Sequence, residues 1–350
     1  MTEIQSLIRP HLRNIQPYSS ARDEYSGWEG IFLDANENAF GSTVAGGGYN
    51  RYPDPYQSVL KQKLAAVKGV ATDQIFLGNG SDEAIDLLIR AFCEPGEDEV
   101  LLLPPTYGMY QVSADINKIQ TAKVPLTRDF QIHWPKVKAA IGNHTKLIFI
   151  CSPNNPSGNL MDREDVEDIL DVAPGLVVVD EAYIDYTPEA TLIPLLKHFP
   201  RLVILQTFSK AWGMANLRLG MAFAHPEVIA ILNKIKPPYN INGLTQEIAE
   251  KAIDNQSVKI DMVKETLAQR KLLKESLSSL RMVEKIYPSD ANFLLVKIKN
   301  ADRVYHALIE KQVIVRNRSK VIMCEGCLRI TVGTAVENQK LLEELKQMDI

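Results

Sequence analysis

Short, nearly unbroken apolar runs recur through the first two thirds of the chain: IFLG (75–78), EVLLL (99–103), KLIFIC (146–151), LVVVD (176–180), RLVILQT (201–207) and LGMAFA (219–224). Runs of that length suit strands covered on both faces. Between them lie longer stretches, such as SDEAIDLLIRAF and DREDVEDILDVA, with apolar residues at helical spacing. This alternation predicts an α/β fold with a doubly wound, mostly parallel sheet. After about residue 226 the pattern changes. A helix-rich segment, EIAEKAIDNQSVKIDMVKETLAQRKLLKESLSSL, leads to strand-like ANFLLVKI, VIVRN and CLRITVG and then a closing helix. A smaller α+β domain is expected there. The division predicted is an N-terminal segment 1–45 packing with the small domain, a large domain 46–255 and a small domain 256–350. The first forty-odd residues offer one strand-like stretch, GIFLDAN, and Gly46, Gly47 and Gly48 predict a mobile loop before NRYPDP.

Composition narrows the class. At 350 residues the chain exceeds what one core usually organises. Its net charge of −4, with Lys and Arg spread throughout, argues against a nucleic-acid partner, which wants a basic face. No run approaches the ~20 apolar residues of a membrane span, and the first residues lack the apolar core of a signal peptide. Four cysteines are too few for a disulfide scaffold, so a cytoplasmic setting is expected. Cys324 and Cys327 form a C-x-x-C without a second ligand pair, and a strand-like run follows. They read as two thiols in a turn before a strand rather than a metal or redox site.

Ligands of open α/β sheets sit beyond the carboxyl ends of the strands. Strand 75–78 ends in GNGSDE, where Gly78 and Gly80 permit a tight turn and Ser81 and Asp82 can cap a helix; a plain capped helix and an anion site fit equally. Glu83 stands where a dinucleotide fingerprint needs its third glycine. KLIFIC ends in SPNNPSG, by itself a βα turn with exposed amides from Asn154 and Asn155. LVVVD ends in Asp180, a carboxylate that must meet an ion-pair partner, a metal or another cation. LVILQT leads to FSKAWGMANLRLG, where Lys210 sits among apolar and small residues, flanked by Thr207 and Ser209 and followed by Arg218. Each feature alone has an ordinary structural reading. Together they offer amides for a phosphate, a carboxylate for a pyridine nitrogen, a tyrosine (Tyr183) for a ring hydroxyl and a lysine for an aldehyde. That set matches pyridoxal phosphate.

The chain resembles the fold type I pyridoxal-phosphate-dependent aminotransferases. The resemblance rests on LDANEN (33–38), NRYPDP (50–55), GNGSDE (78–83), PTYGMY (105–110), SPNNPSG (152–158), VVDEAYIDY (178–186), TFSKAWGMANLRLG (207–220) and LRITVGT (328–334). RYPDP, VDEAYIDY and LRITVGT resemble its histidinol-phosphate branch. The resemblance implies an aspartate-aminotransferase-like fold and pyridoxal 5'-phosphate as cofactor. It implies histidinol phosphate with glutamate or 2-oxoglutarate as substrates, and a homodimer. Lys210 would be the Schiff-base lysine, Asp180 the partner of the pyridine nitrogen, and Asn155 and Tyr183 contacts of the ring hydroxyl. Tyr107 would stack on the ring, while Gly80, Ser81, Asp82, Thr207, Ser209 and Arg218 hold the phosphate. Tyr52 would reach the partner's cofactor phosphate. Arg329 would receive an anionic group of the substrate, and Arg316, Asn36 and Tyr18 are further implied contacts. Other activities on the same scaffold are aromatic amino acid transamination and threonine-phosphate decarboxylation. A non-catalytic regulator would be expected to carry a DNA-binding helical domain, for which no segment is evident.

Overall fold

The computed structural model describes residues 2–18, 30–44 and 48–348. Seven strands form the main sheet: β1 (Ile75–Asn79), β2 (Glu99–Leu102), β3 (Gln120–Lys123), β4 (Thr145–Cys151), β5 (Leu176–Asp180), β6 (Leu202–Thr207) and β7 (Leu219–Ala224). Their order is β1-β7-β6-β5-β4-β2-β3. From β6 to β3 every pairing is parallel, and β7 runs antiparallel to both of its neighbours, β6 and β1. The carboxyl ends of β1, β2, β4, β5 and β6 and the start of β7 therefore share one edge.

Successive residues of a strand face opposite sides of its sheet, and the two cores divide accordingly. Val177, Val179, Leu202 and Ile204 enter one cluster, Leu176, Val178, Val203 and Leu205 the other. Helices α3 (Ser58–Lys68), α6 (Trp134–Ala140), α7 (Arg163–Val172) and α9 (Gly243–Asp254) cover the first side. Helices α4 (Ser81–Phe92), α5 (Met109–Ile116) and α8 (Pro226–Ile235) cover the second. This is the doubly wound α/β arrangement the pattern predicts.

A four-stranded antiparallel sheet follows, in order β10-β11-β9-β8, from β8 (Val283–Ile286), β9 (Phe293–Ile298), β10 (Arg316–Asn317) and β11 (Cys327–Thr331). One face packs Leu294, Val296, Leu328 and Ile330 against α10 (Gln256–Ser278), α11 (Ala301–Glu310) and α12 (Ala335–Met348). On the other face Leu295 and Cys327 join the core of the main sheet. Cys324 and Cys327 are free and buried, in the turn before β11 and at its first residue, and burial pushes their thiols up to about 12 and about 11.

Several expectations need correction. Short helices α1 (Glu3–Leu7) and α2 (Pro10–Arg13) pack on the main sheet's helices, not with the small sheet. The cause is the four-residue spacing of Ile4, Ile8 and Leu12, which makes one apolar stripe, fixed by Arg9 with two nitrogens on Glu94 at 3.0 Å each. GIFLDAN forms no strand where it is described: Ile31 and Leu33 are exposed and have no strand to pair with. The strand expected over VIVRN shrinks to the two residues of β10. Of the triple glycine, Gly46 and Gly47 lie outside the described residues.

Candidate active site

The shared sheet edge opens on a cleft of about 1110 Å³. Its lining includes Gly80, Ser81, Asp82, Tyr107, Asn155, Asp180, Tyr183, Thr207, Ser209, Lys210, Arg218, Arg316 and Arg329. Thirteen expected residues from seven of the quoted segments thus meet in one place.

Asp180 ends β5 and is 2 % exposed. Its Oδ2 accepts from the Tyr110 hydroxyl at 2.7 Å and its Oδ1 from the Ala182 amide at 3.0 Å. Burial raises its pKa to about 6, partly offset by those two hydrogen bonds. Among the described residues no cation forms an ion pair with it. A buried carboxylate facing a cleft in that state favours a cationic ligand group.

Lys210 follows β6 with its side chain open to the cleft. Its Nζ lies 5.4 Å from the centre of the Tyr183 ring. The cleft walls lower its pKa, first by desolvation and then through Arg329, with Asp180 and Asp82 opposing. A lysine so placed reaches its neutral, nucleophilic form more readily. Tyr183 itself is buried, edge-on to Phe293 with ring centres 5.2 Å apart, and burial raises its phenol.

The start of α4 approaches β7 very closely. A Cβ on Gly220 would fall 2.1 Å from the Ser81 amide nitrogen, and one on Gly80 2.6 Å from Arg218 Nη2. Gly80 (φ +72°) is the N-cap itself, so Ser81 is already helical and no side chain caps the helix. That corrects the expectation of a Ser81 or Asp82 cap and leaves the first amides available to an anion. Gly80 donates its amide to the Arg218 carbonyl at 2.7 Å. Asp82 gathers the neighbours: its Oδ2 accepts from Arg218 Nη2 at 3.3 Å and its Oδ1 from the Tyr107 hydroxyl at 3.0 Å. Ser209 donates its amide to Thr207 Oγ1 at 3.1 Å.

The opposite wall comes from the small sheet. Arg329 on β11 donates through Nη1 to Asn155 Oδ1 and lies over the Phe293 ring, 5.2 Å from its centre. Asn154, the other amide of that loop, is fully buried and donates to the Pro105 carbonyl and Ser157 Oγ, a structural role.

Three expected contacts do not line this cleft within one chain. Tyr18 lines a separate cleft of about 780 Å³ with Tyr56 and Lys236. Asn36 is exposed, and Tyr52 stacks on Tyr239 with ring centres 4.5 Å apart. Tyr110 and Arg318 belong to the cleft region but were missed in the sequence. Tyr110 lies in the quoted PTYGMY segment, but only folding points its hydroxyl at Asp180. Arg318 carries no motif.

A family profile described as "Aminotransferase class I and II" matches residues 31–345. The chain is 57% identical over 343 residues, 98% of each chain, to histidinol-phosphate aminotransferase of Cytophaga hutchinsonii. It is 51% identical over 350 residues to the enzyme of that name from Parabacteroides distasonis, covering 100% of both. Among solved structures, histidinol-phosphate aminotransferase of Clostridium acetobutylicum superposes with a TM-score of 0.80 at 23% identity, over 86% of this chain and 91% of that one. The Sinorhizobium meliloti enzyme, in complex with pyridoxal-5'-phosphate, gives 0.78 at 23% identity over 90% of both. With matches of this length joined to this strand order, the chain belongs to the class I and II aminotransferase family.

Proposed function

We propose that the protein transfers the amino group of L-histidinol phosphate to 2-oxoglutarate, using pyridoxal 5'-phosphate, in histidine biosynthesis. The observation that carries this reading is Asp180, a buried carboxylate facing Lys210 across one cleft with no cation paired to it among the described residues. The groups present fit the cofactor. Asp180 suits a protonated pyridine nitrogen, Lys210 an aldehyde, and the uncapped start of α4 with Ser81, Thr207, Ser209 and Arg218 a phosphate. Asn155 and Tyr183 suit the ring hydroxyl and Tyr107 the ring face. The names of the close relatives support the substrate.

When bound, pyridoxal phosphate supplies an aldehyde to receive the amino group and a ring that withdraws electrons from the substrate carbon. Asp180 would favour the protonated form of the ring nitrogen. Lys210 would hold the aldehyde in the resting protein and would serve as the base that carries the proton at the substrate carbon. Its lowered pKa leaves a larger fraction of the amine free to do so. Arg329 and Arg316 receive the anionic end of either substrate, since a guanidinium fork suits phosphate and carboxylate alike. Asn155 holds Arg329 in place.

A homodimer in the cytoplasm completes the reading. Ile31, Leu33 and Phe40 are 91%, 84% and 101% exposed, an apolar concentration that suits a covered surface. Tyr52 and Asn36 lie in the same part of the chain and would serve the partner's cleft. Tyr18 is assigned to substrate with them. All four cysteines are free, as a reducing compartment allows.

The test is the absorption spectrum of the purified protein before and after adding histidinol phosphate without a keto acid. Loss of the visible band of the lysine-linked cofactor, with gain of the pyridoxamine form, is expected. Conversion by an aromatic amino acid alone would discard the substrate, release of carbon dioxide the reaction class. A Lys210→Ala protein with normal turnover would discard the mechanism.

A further inference from the structure

Arg318 carries no role so far, yet it lines the Lys210 cleft. Its amide donates to the Cys327 carbonyl at 2.9 Å, so the β10–β11 ladder continues past Asn317. Strand alternation then puts Arg316 and Arg318 on one face and Asn317 on the other. Asn317 does turn away, its Nδ2 donating to Asp302 of α11 at 2.5 Å. Arg329 is the direct cross-strand partner of Arg316. Three guanidinium groups therefore gather at one wall.

That arrangement is unfavourable by itself, because like charges facing across a strand pair repel. Among the described residues, no carboxylate forms an ion pair with any of the three. Burial and then Arg329 and Arg316 depress the pKa of Arg318; the remaining titratable groups acting on it are Cys324 and Tyr183. Both are neutral at physiological pH, the thiol pushed up to about 12 and the phenol raised by burial. The Nε atoms of Arg318 and Arg329 are buried without a hydrogen-bond partner. The wall is thus short of negative charge by more than one carboxylate can supply.

Building on the function proposed above, we propose that Arg318 is the specificity-determining residue that makes this cleft prefer a dianionic phosphate monoester over a carboxylate. A carboxylate has one charge and two oxygens, which a single arginine fork satisfies. A phosphate monoester brings up to two charges and three acceptor oxygens. Arg316 and Arg329 serve both substrates, and the third guanidinium acts on the extra charge of the phosphate.

The experiment compares cofactor-loaded wild type, Arg318→Gln and Arg318→Lys. In Arg318→Gln, kcat/KM for histidinol phosphate falls on the order of tenfold or more, mainly through KM, while that for glutamate hardly changes. Arg318→Lys recovers part of the loss. The second phosphate ionisation lies near about pH 6, so wild-type preference for histidinol phosphate over glutamate rises through that pH. In Arg318→Gln the rise shrinks. Calorimetry with inorganic phosphate on the loaded enzyme shows weaker binding in Arg318→Gln, with acetate unaffected. Equal losses for both substrates, or an unchanged preference and pH profile, would overturn the assignment. Wild-type enzyme inert toward histidinol phosphate overturns the proposed substrate instead, and is seen before any variant is made.

Discussion

Asp180 shows how a single buried residue can cost stability, a cost that its proposed role beside a cationic ring nitrogen would explain. Its native pKa, about 6 against an ordinary 3.8, means that folding penalises its ionised form. In the cofactor-free protein the cost is absent below the ordinary carboxylate range, grows as pH rises through 4 to 6, and is complete above that. A rise of that size corresponds to roughly 2–3 kcal/mol. Cofactor-free Asp180→Asn should therefore resist denaturant better than wild type at pH 8, with the gap closing toward pH 4, while its transaminase activity collapses. Gly220 shows the opposite economy. In Gly220→Ala the new methyl meets backbone of Gly80 and Ser81 at 2.1–2.8 Å, where nothing can swing away. A loss of about 1–3 kcal/mol is expected, with weakened cofactor retention because the α4 amides move. Melting curves and the cofactor dissociation constant measure both.

Elements are held in register by groups behind the cleft. Glu181, 1 % exposed, accepts from Thr191 Oγ1 at 2.7 Å, the Leu192 amide at 2.6 Å and Gln206 Nε2 at 2.8 Å. It joins the end of β5 to β6 and to the segment after the Tyr183 turn, so Asp180 and Lys210 keep their relative positions. Glu181→Ala leaves those donors buried and unmet, a cost of about 2–4 kcal/mol readable as a lower denaturant midpoint. Strand legibility followed burial. Runs such as LVVVD and LVILQT are apolar because helices cover both faces. QTAK at the sheet edge and VEKI in the small sheet are half exposed, so β3 and β8 left no apolar signal. β10 is short because the chain turns directly after Arg318, whose amide still bonds the Cys327 carbonyl at 2.9 Å while the Val321 amide returns to the Arg318 carbonyl at 2.8 Å.

For the whole molecule, the proposed dimer makes a prediction that neither chain meets alone. If Tyr52 serves the partner's cleft, Tyr52→Ala and Lys210→Ala are each impaired, but mixing them restores turnover in mixed dimers. One cleft of such a dimer holds an intact Lys210 and receives an intact Tyr52. No recovery after exchange of subunits would place Tyr52 elsewhere. Charged substitutions at Leu33 and Phe40 should shift sedimentation toward monomer, because the exposed apolar surface they interrupt is what a partner would cover. The mixed packing of the small sheet also matters at this scale. Leu295 and Cys327 face the main core while Leu294 and Leu328 face their own helices, which holds Arg329 against Asn155 across the cleft.

The sequence by itself determined the doubly wound sheet, the strands buried on both faces and the residues at the strand ends, while the family resemblance added Tyr107, Arg316 and Arg329 to the thirteen that line the cleft. Those properties are local: apolar periodicity reports burial, and strand-end motifs sit where the topology must open a cleft. Only the tertiary structure decided that Gly80, not Ser81, caps α4, that Tyr110 meets Asp180, and that α1 and α2 join the main core. It alone placed Arg318 beside Arg316 and Arg329. Each depends on contacts between residues far apart in the chain, and a side chain's partner across such a gap is set by packing rather than by its neighbours in sequence.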